Sequence, residues 1–214
     1  MLSLRNSRPR GGIDDTDTPR PVEHPDDALL DAARASIVAV GWKRSTLTDV
    51  ARRAGVSRMT IYRRWPDMQT LLGDLMTREW YGLVDDHSDD AAISPLQRLA
   101  DGVASTVAAL RDNELFRTIV EVDPELLLPY LLERRGRTQD ALLARLETGV
   151  AEGQDDGSVR DGDPSLLARS VLLAAYGFAL STPTMTGGPL DAAAFDATAF
   201  DGELRALVDG YLRP

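Results

Sequence analysis

Between Trp42 and Pro66 the chain gathers Lys43, Arg44, Arg52, Arg53, Arg58, Arg63 and Arg64 against one acid, Asp49. Over all 214 residues the formal net charge is −10 at pH 7, so this basic island sits on an otherwise strongly acidic protein. Such an island points to a polyanion as partner. Guanidinium groups pair bidentately with O6 and N7 of guanine, while hydroxyls fix register on phosphates. Both kinds of group are present, the hydroxyls being Thr46, Thr48, Thr60 and Tyr62.

Positioning these groups requires two short helices and a tight corner. Thr46 can cap the first, with Asp49 placed as a capping-box partner and suited to the positive helix start. Leu47, Val50, Ala51 and Ala54 then fall at i, i+3, i+4 and i+7, a one-sided apolar stripe. Gly55 stands where the chain leaves that helix with φ > 0, Val56 plugs the corner, and Ser57 caps the next helix. There Ile61 and Trp65, four apart, form a short buried seam, leaving Arg58, Met59, Arg63 and Arg64 on or near the outer face. This is the pattern of a helix-turn-helix whose second helix enters a major groove.

Residues from Leu29 to about Trp80 resemble the DNA-binding domain of the TetR family of transcriptional repressors. The resemblance is carried by Leu29-Leu30-Asp31-Ala32-Ala33, Gly41, Thr46, Val50-Ala51, Ala54-Gly55-Val56-Ser57, Thr60-Ile61-Tyr62 and Leu71-Leu72. It implies an all-α protein of about nine or ten helices, a three-helix DNA-binding domain joined to a helical ligand-binding and dimerisation domain. It also implies roles for single residues. Thr46, Thr60 and Tyr62 would meet phosphates; Thr48, Arg58, Met59 and Arg63 would read base edges; Arg64 would serve either purpose. The alternative for Tyr62 is a core aromatic, and for Arg63 and Arg64 a solvated face. Where many members carry a phosphate-touching lysine at the start of the fourth helix, this chain has Met68.

Composition excludes other chemistry. There is no cysteine, hence no disulfide, thiolate metal site or thiol nucleophile. No metal site or cofactor is expected. No run approaches the roughly 18 apolar residues of a membrane helix, and the N-terminus does not read as a signal peptide. A cytoplasmic protein that needs no membrane is the expectation. The only histidines are His24 and His87, and no GxSxG, HExxH or phosphate-loop spacing occurs. That leaves an enzyme working through paired carboxylates as a remote alternative.

Along the chain, residues 1–25 are Pro-rich with little to bury and are expected to be a disordered tail, in which Arg5, Arg8 and Arg10 could follow a minor groove. The DNA-binding domain is expected over 26–80, with a first helix from Asp26 to Val40 burying Leu30, Ala33, Ile37 and Val40, and a fourth beginning at the cap Asp67. The acidic run Asp85–Asp90 reads as a solvated break. The ligand-binding and dimerisation domain, 81–214, should contain helices over Pro95–Leu110, Asn113–Val120, Pro124–Leu132 with a bend at Pro129, Arg137–Ala151, Ser165–Leu180 and Phe200–Leu212. Gly153–Pro164 and Pro183–Pro189 should be loops.

The Ser165–Leu180 segment is apolar nearly all round and must be buried on more than one side, by its own core or by a second copy. The family resemblance makes the last two helices, Ser165–Ser181 and Phe200–Leu212, a four-helix interface between two copies. Trp80, Phe116, Val120, Leu127, Tyr130, Tyr176, Phe178 and Met185 are candidates to wall a cavity for a small apolar or amphipathic effector, ordinary core packing being the alternative for each. The function expected is a regulator, a repressor that binds palindromic double-stranded DNA as a homodimer and is released by the effector. A constitutive DNA-binding protein without an effector is the alternative.

Overall fold

The computed structural model describes residues 26–83, 93–187 and 195–214. Among these residues the chain is all-α, as expected, and ten α-helices form without a strand. The tail at 1–25 with Arg5, Arg8, Arg10 and His24, the acidic run with His87, and Pro189 lie outside the described residues.

Helix α1 (Asp27–Val40) buries Leu29, Leu30, Ala33 and Ile37 and stops where Gly41 takes φ 82°. Val40, expected in the buried stripe, is instead exposed, because it occupies the last helical position, where the chain turns away. Helices α2 (Leu47–Arg53), α3 (Arg58–Arg64) and α4 (Met68–Tyr81) close around α1. Their shared core contains Ile37, Val50, Ile61, Trp65, Leu71 and Leu75, all essentially without solvent contact. Leu115 and Ile119 from α6 (Glu114–Val122) pack in the same core, so the first four helices are seated directly on the second half.

The second half is built on α5 (Pro95–Asp112), started by a capping box between Ser94 and Gln97. A 3₁₀ turn (Pro124–Leu126) and short α7 (Leu128–Leu132) follow α6. Pro129, expected to bend a single helix, instead sits in the first turn of a separate α7, where its missing N–H costs nothing. Helix α8 (Arg137–Asp155) continues through Gly153, which had read as loop. The reason is packing. Val159 folds back onto the helix, and a Cβ at Gly153 would lie 2.3 Å from its Cγ2, so only glycine fits.

Helix α9 (Pro164–Met185) also runs past its expected end, carrying Pro183 in its last turn. By length and composition it is long and apolar enough to cross a membrane, contrary to the expectation that no run approaches such a helix. However, Leu167, Val171, Ala175 and Ala179 are buried in a core shared with α5, α8 and α10 (Ala197–Leu212). Its other face, with Leu166 and Leu173 62% and 69% exposed, is uncovered among the described residues.

Candidate nucleic-acid interface and ligand cavity

The α2–α3 corner is fixed by hydrogen bonds at each step. Thr46 Oγ1 accepts from Asp49 N at 3.2 Å and donates to Asp49 Oδ2 at 2.6 Å. The Asp49 carboxylate also accepts from Arg52 at 2.7 Å, so it is held outward rather than reaching back to the Thr46 amide as a capping box would. Gly55 takes φ 70°, and Val56 N bonds back to Ala51 O at 3.0 Å. Ser57 Oγ then accepts from Thr60 N at 3.1 Å, capping α3. Ile61 and Trp65 point inward, and the indole N–H of Trp65 donates to Asp74 Oδ2 on α4 at 2.8 Å.

With that seam buried, the opposite face of α3 is left to solvent. Arg58 and Arg63 are exposed, Met59 is 79% exposed and Tyr62 50% exposed. Tyr62 is therefore not a core aromatic, since Ile61 and Trp65 already fill the seam. Thr46 is exposed, and Thr48 and Thr60 are half-buried, with Thr60 Oγ1 2.9 Å from Ser57 Oγ. Arg64 is differently placed. Its guanidinium lies 2.5 Å from Asp26 at the head of α1 and 5.9 Å from the Trp65 ring centroid. Met68 packs half-buried against the core.

Polar links tie this unit to the rest of the chain: Arg34 to Glu114, Asn113 to Glu79 and Thr77 to Thr138, and the three that follow. None had a sequence signal, because each joins residues far apart in the chain. The buried carboxylate of Asp123 accepts from Trp42 N at 2.6 Å. Lys43 lies 2.5 Å from Glu125; their hydrogen bond and mutual charge raise the lysine pKa and lower that of the glutamate. Asp74, already bonded to Trp65, also accepts from Arg137 at the start of α8. Burial pushes the Asp74 pKa up, but the indole N–H and the Arg137 guanidinium outweigh it, and the net shift is downward.

Between α4, α6, α8 and α9 lies a cavity of about 670 Å³. Five of the residues expected there, Trp80, Phe116, Leu127, Tyr130 and Tyr176, line it. Three do not. Val120 follows Ile119 on α6 and is turned about 100° from it, Phe178 packs in the second core, and Met185 is exposed at the end of α9. Burial raises the pKa of the Tyr176 phenol against the opposing effect of a hydrogen bond with Gln139. A smaller cavity of about 330 Å³ lies between α5, α8 and α9, and Thr106 and Leu142 line both.

A capped corner that buries one side of a short helix and turns its arginines outward defines a helix-turn-helix DNA-binding protein. Comparison with known proteins narrows this. Residues 29–75 match the family described as bacterial regulatory proteins, tetR family. An uncharacterized HTH-type transcriptional regulator of Mycobacterium bovis is 32% identical over 184 residues, 86% of this chain and 92% of that one. Among solved structures, the fatty acid degradation regulator FadR of Bacillus halodurans superposes with TM-score 0.64 at 19% identity, covering 87% of this chain and 95% of that one. The SmeT–triclosan complex gives 0.60 at 22%, covering 88% and 91%. The chain belongs to the TetR family of bacterial transcriptional regulators and is not an enzyme.

Proposed function

We propose that this regulator is a repressor that binds a palindromic operator as a homodimer in the cytoplasm and leaves it when a small apolar or amphipathic effector enters the α4–α9 cavity. The observation that carries the DNA reading is the outward display of Arg58, Met59, Tyr62 and Arg63 on a helix anchored by Ile61 and Trp65. Arg58, Met59 and Arg63, with Thr48 from α2, read base edges. Thr46, Thr60 and Tyr62 bind phosphates, and Arg64 is a reserve cation held by Asp26.

One half-site offers a seven-residue helix, too little for tight specific binding. The uncovered stripe of Leu166, Leu173 and Gly177 on α9, beside Leu207 and Tyr211 on α10, supplies an apolar surface for a second copy. A twofold pair would set two α3 helices about 34–36 Å apart. The effector reading is supported by the volume and apolar lining of the larger cavity, and by its position against α4, which carries Asp74 and abuts α3. In this reading residues 26–80 bear the DNA contacts and 81–214 the partner surface, while the effector cavity is walled by α4 as well as by the second half.

Selecting bound fragments from the source genome tests the proposal. The expected result is a pseudo-palindrome with half-sites about 10–10.5 bp apart or a multiple of that. Affinity should fall with salt at a log–log slope of about −0.9 per phosphate neutralised. Recovery of no specific site refutes the operator reading, whereas a site whose occupancy no small molecule alters favours the constitutive alternative.

A further inference from the structure

The polar end of the larger cavity is unequal in charge. Its charged lining residues are Arg134, Arg135 and Arg137 on one side and Asp67 and Asp74 on the other. The two carboxylates are already committed. Asp67 Oδ1 caps α4, accepting from the amide and hydroxyl of Thr70 at 2.7 and 2.9 Å, and Asp74 accepts from Trp65 and Arg137. Arg135 is bonded at 2.8 Å to Asp140, outside the cavity. The guanidinium of Arg134 is exposed at the cavity lining and rests 5.4 Å from the Tyr130 ring centroid, a cation–π contact that occupies none of its N–H donors. Gln139 also accepts from Gly136 N at 2.6 Å and donates to the main-chain carbonyl of Tyr130 at 3.0 Å, tying the backbone that carries the Tyr130 ring to the head of α8.

Inward from this end the walls become apolar, through Leu127, Phe116 and Leu110, as far as Thr106 and Leu142, where the second cavity begins. Resting on the reading of this cavity as the effector site, we infer that the effector is an organic anion with a long apolar tail. Its charged group is held by Arg134 and Arg137, and its tail runs past Thr106 and Leu142. An organic cation is disfavoured, because it would have to displace donors from Asp74 or Asp67 while facing three arginines. Binding the anion draws Arg137 from Asp74, leaving on α4 a carboxylate that loses one of its two donors and faces a negative charge. Asp74 is bonded to Trp65 of the α3 seam, so the disturbance enters the DNA-reading unit there.

The test is calorimetric binding to the full-length protein without DNA, using twelve-carbon probes below their micelle-forming concentrations: dodecanoate, dodecyl phosphate, dodecanoyl-CoA, dodecanol and dodecylammonium. At least one anion should bind about 10- to 100-fold more tightly than dodecanol, the range for a charge-assisted pair of contacts. Which anion binds best separates a carboxylate from a phosphate or nucleotide ester as the source of the charge. Arg134→Gln and Arg137→Gln should each lower affinity for the best anion about tenfold while leaving dodecanol binding unchanged, and Arg137→Lys should recover part of it. Leu142→Phe should weaken hexadecanoate more than octanoate. Equal binding of dodecanol or dodecylammonium, or equal loss of anion and alcohol in variants that melt like the parent, overturns the inference. An anion that binds as described without changing DNA affinity leaves the site standing and refutes the effector reading. Release of DNA by dodecanol and dodecanoate alike does the reverse.

Discussion

Asp26 holds Arg64 away from DNA, and neutralising Asp26 should let the arginine bind a phosphate. The pair is short, 2.5 Å, and Arg64 remains 54% exposed, so the pair contributes only about 0–1 kcal/mol to stability. Asp26→Asn keeps the shape of the side chain and removes the charge that detains the guanidinium. If Arg64 then reaches a phosphate, each copy neutralises one more, steepening the salt slope by about 0.9, or about 1.8 for two copies on one operator. Between 50 and 200 mM salt that is about a 12-fold larger loss of affinity than the parent shows. Fluorescence anisotropy on the selected fragment over a salt series measures it directly. Arg64→Ala in the parent should leave the slope nearly unchanged, and in the Asp26→Asn background it should restore the parental slope. An unchanged slope in Asp26→Asn, or a shallower one for Arg64→Ala alone, would refute the argument, because Arg64 would then be shown either unable to reach DNA or already there.

Thr46→Ala should destabilise the protein by about 0.5–2 kcal/mol through loss of the α2 cap and weaken binding to all DNA sequences alike, whereas Thr46→Ser should retain both properties in urea melts and binding isotherms. Gly153→Ala forces a Cβ against Val159, an overpacking cost of about 1–3 kcal/mol that exceeds the gain in helix propensity of up to about 1 kcal/mol. The melting temperature should fall, and a second change, Val159→Ala, should relieve the clash at the expense of a small buried side chain. Asp74 has a folded-state pKa below its ordinary 3.8, so its contribution is complete above that value and is lost as pH falls through the lower, folded one. Asp74→Asn should therefore flatten the pH dependence of the melting temperature below about pH 4, and an unaltered acid limb would show that Asp74 makes no such contribution.

The α2–α3 corner was legible because the determinants that shape it are local. A cap, a four-residue corner and two buried side chains four apart all lie within twenty residues, from Thr46 to Trp65. The helices of the second half were legible for the same reason, through apolar spacing, but their ends were not. Val159 keeps Gly153 helical from six residues away, and α9 carries Pro183 into its last turn; neither effect is written in local propensity. The cavity was legible only in part. Aromatic residues on helices are visible in a sequence, but whether Phe178 turns to the cavity or to the second core depends on helix rotation against α5 and α10. Arg134, Arg137 and Asp74 gave no signal, since their meaning lies in one rim assembled from two segments far apart in the chain, α4 and the stretch 134–137.

Among the polar links between the halves, three bear most on how such a molecule could switch. Trp42 to Asp123 and Lys43 to Glu125 both fasten the α1–α2 connection to the stretch just after α6, while Asp74 to Arg137 fastens α4 to the head of α8. Leu115 and Ile119 of α6 meanwhile share the core of the DNA-reading half. The first two links lie on the side held by that shared core, and the third spans the cavity rim. A ligand at the rim would therefore act on the α4–α8 fastening, made by Asp74 with Arg137 and by the Thr77–Thr138 hydroxyl pair, rather than on the side held by the shared core. Loosening it would let α4, with Trp65 bonded to it, pivot about the α6 side, changing the direction of α3 while its own packing stays intact. Because α3 is only seven residues long, even a small pivot at α4 displaces its arginines from the groove, and in a pair of copies the separation of the two helices changes with it.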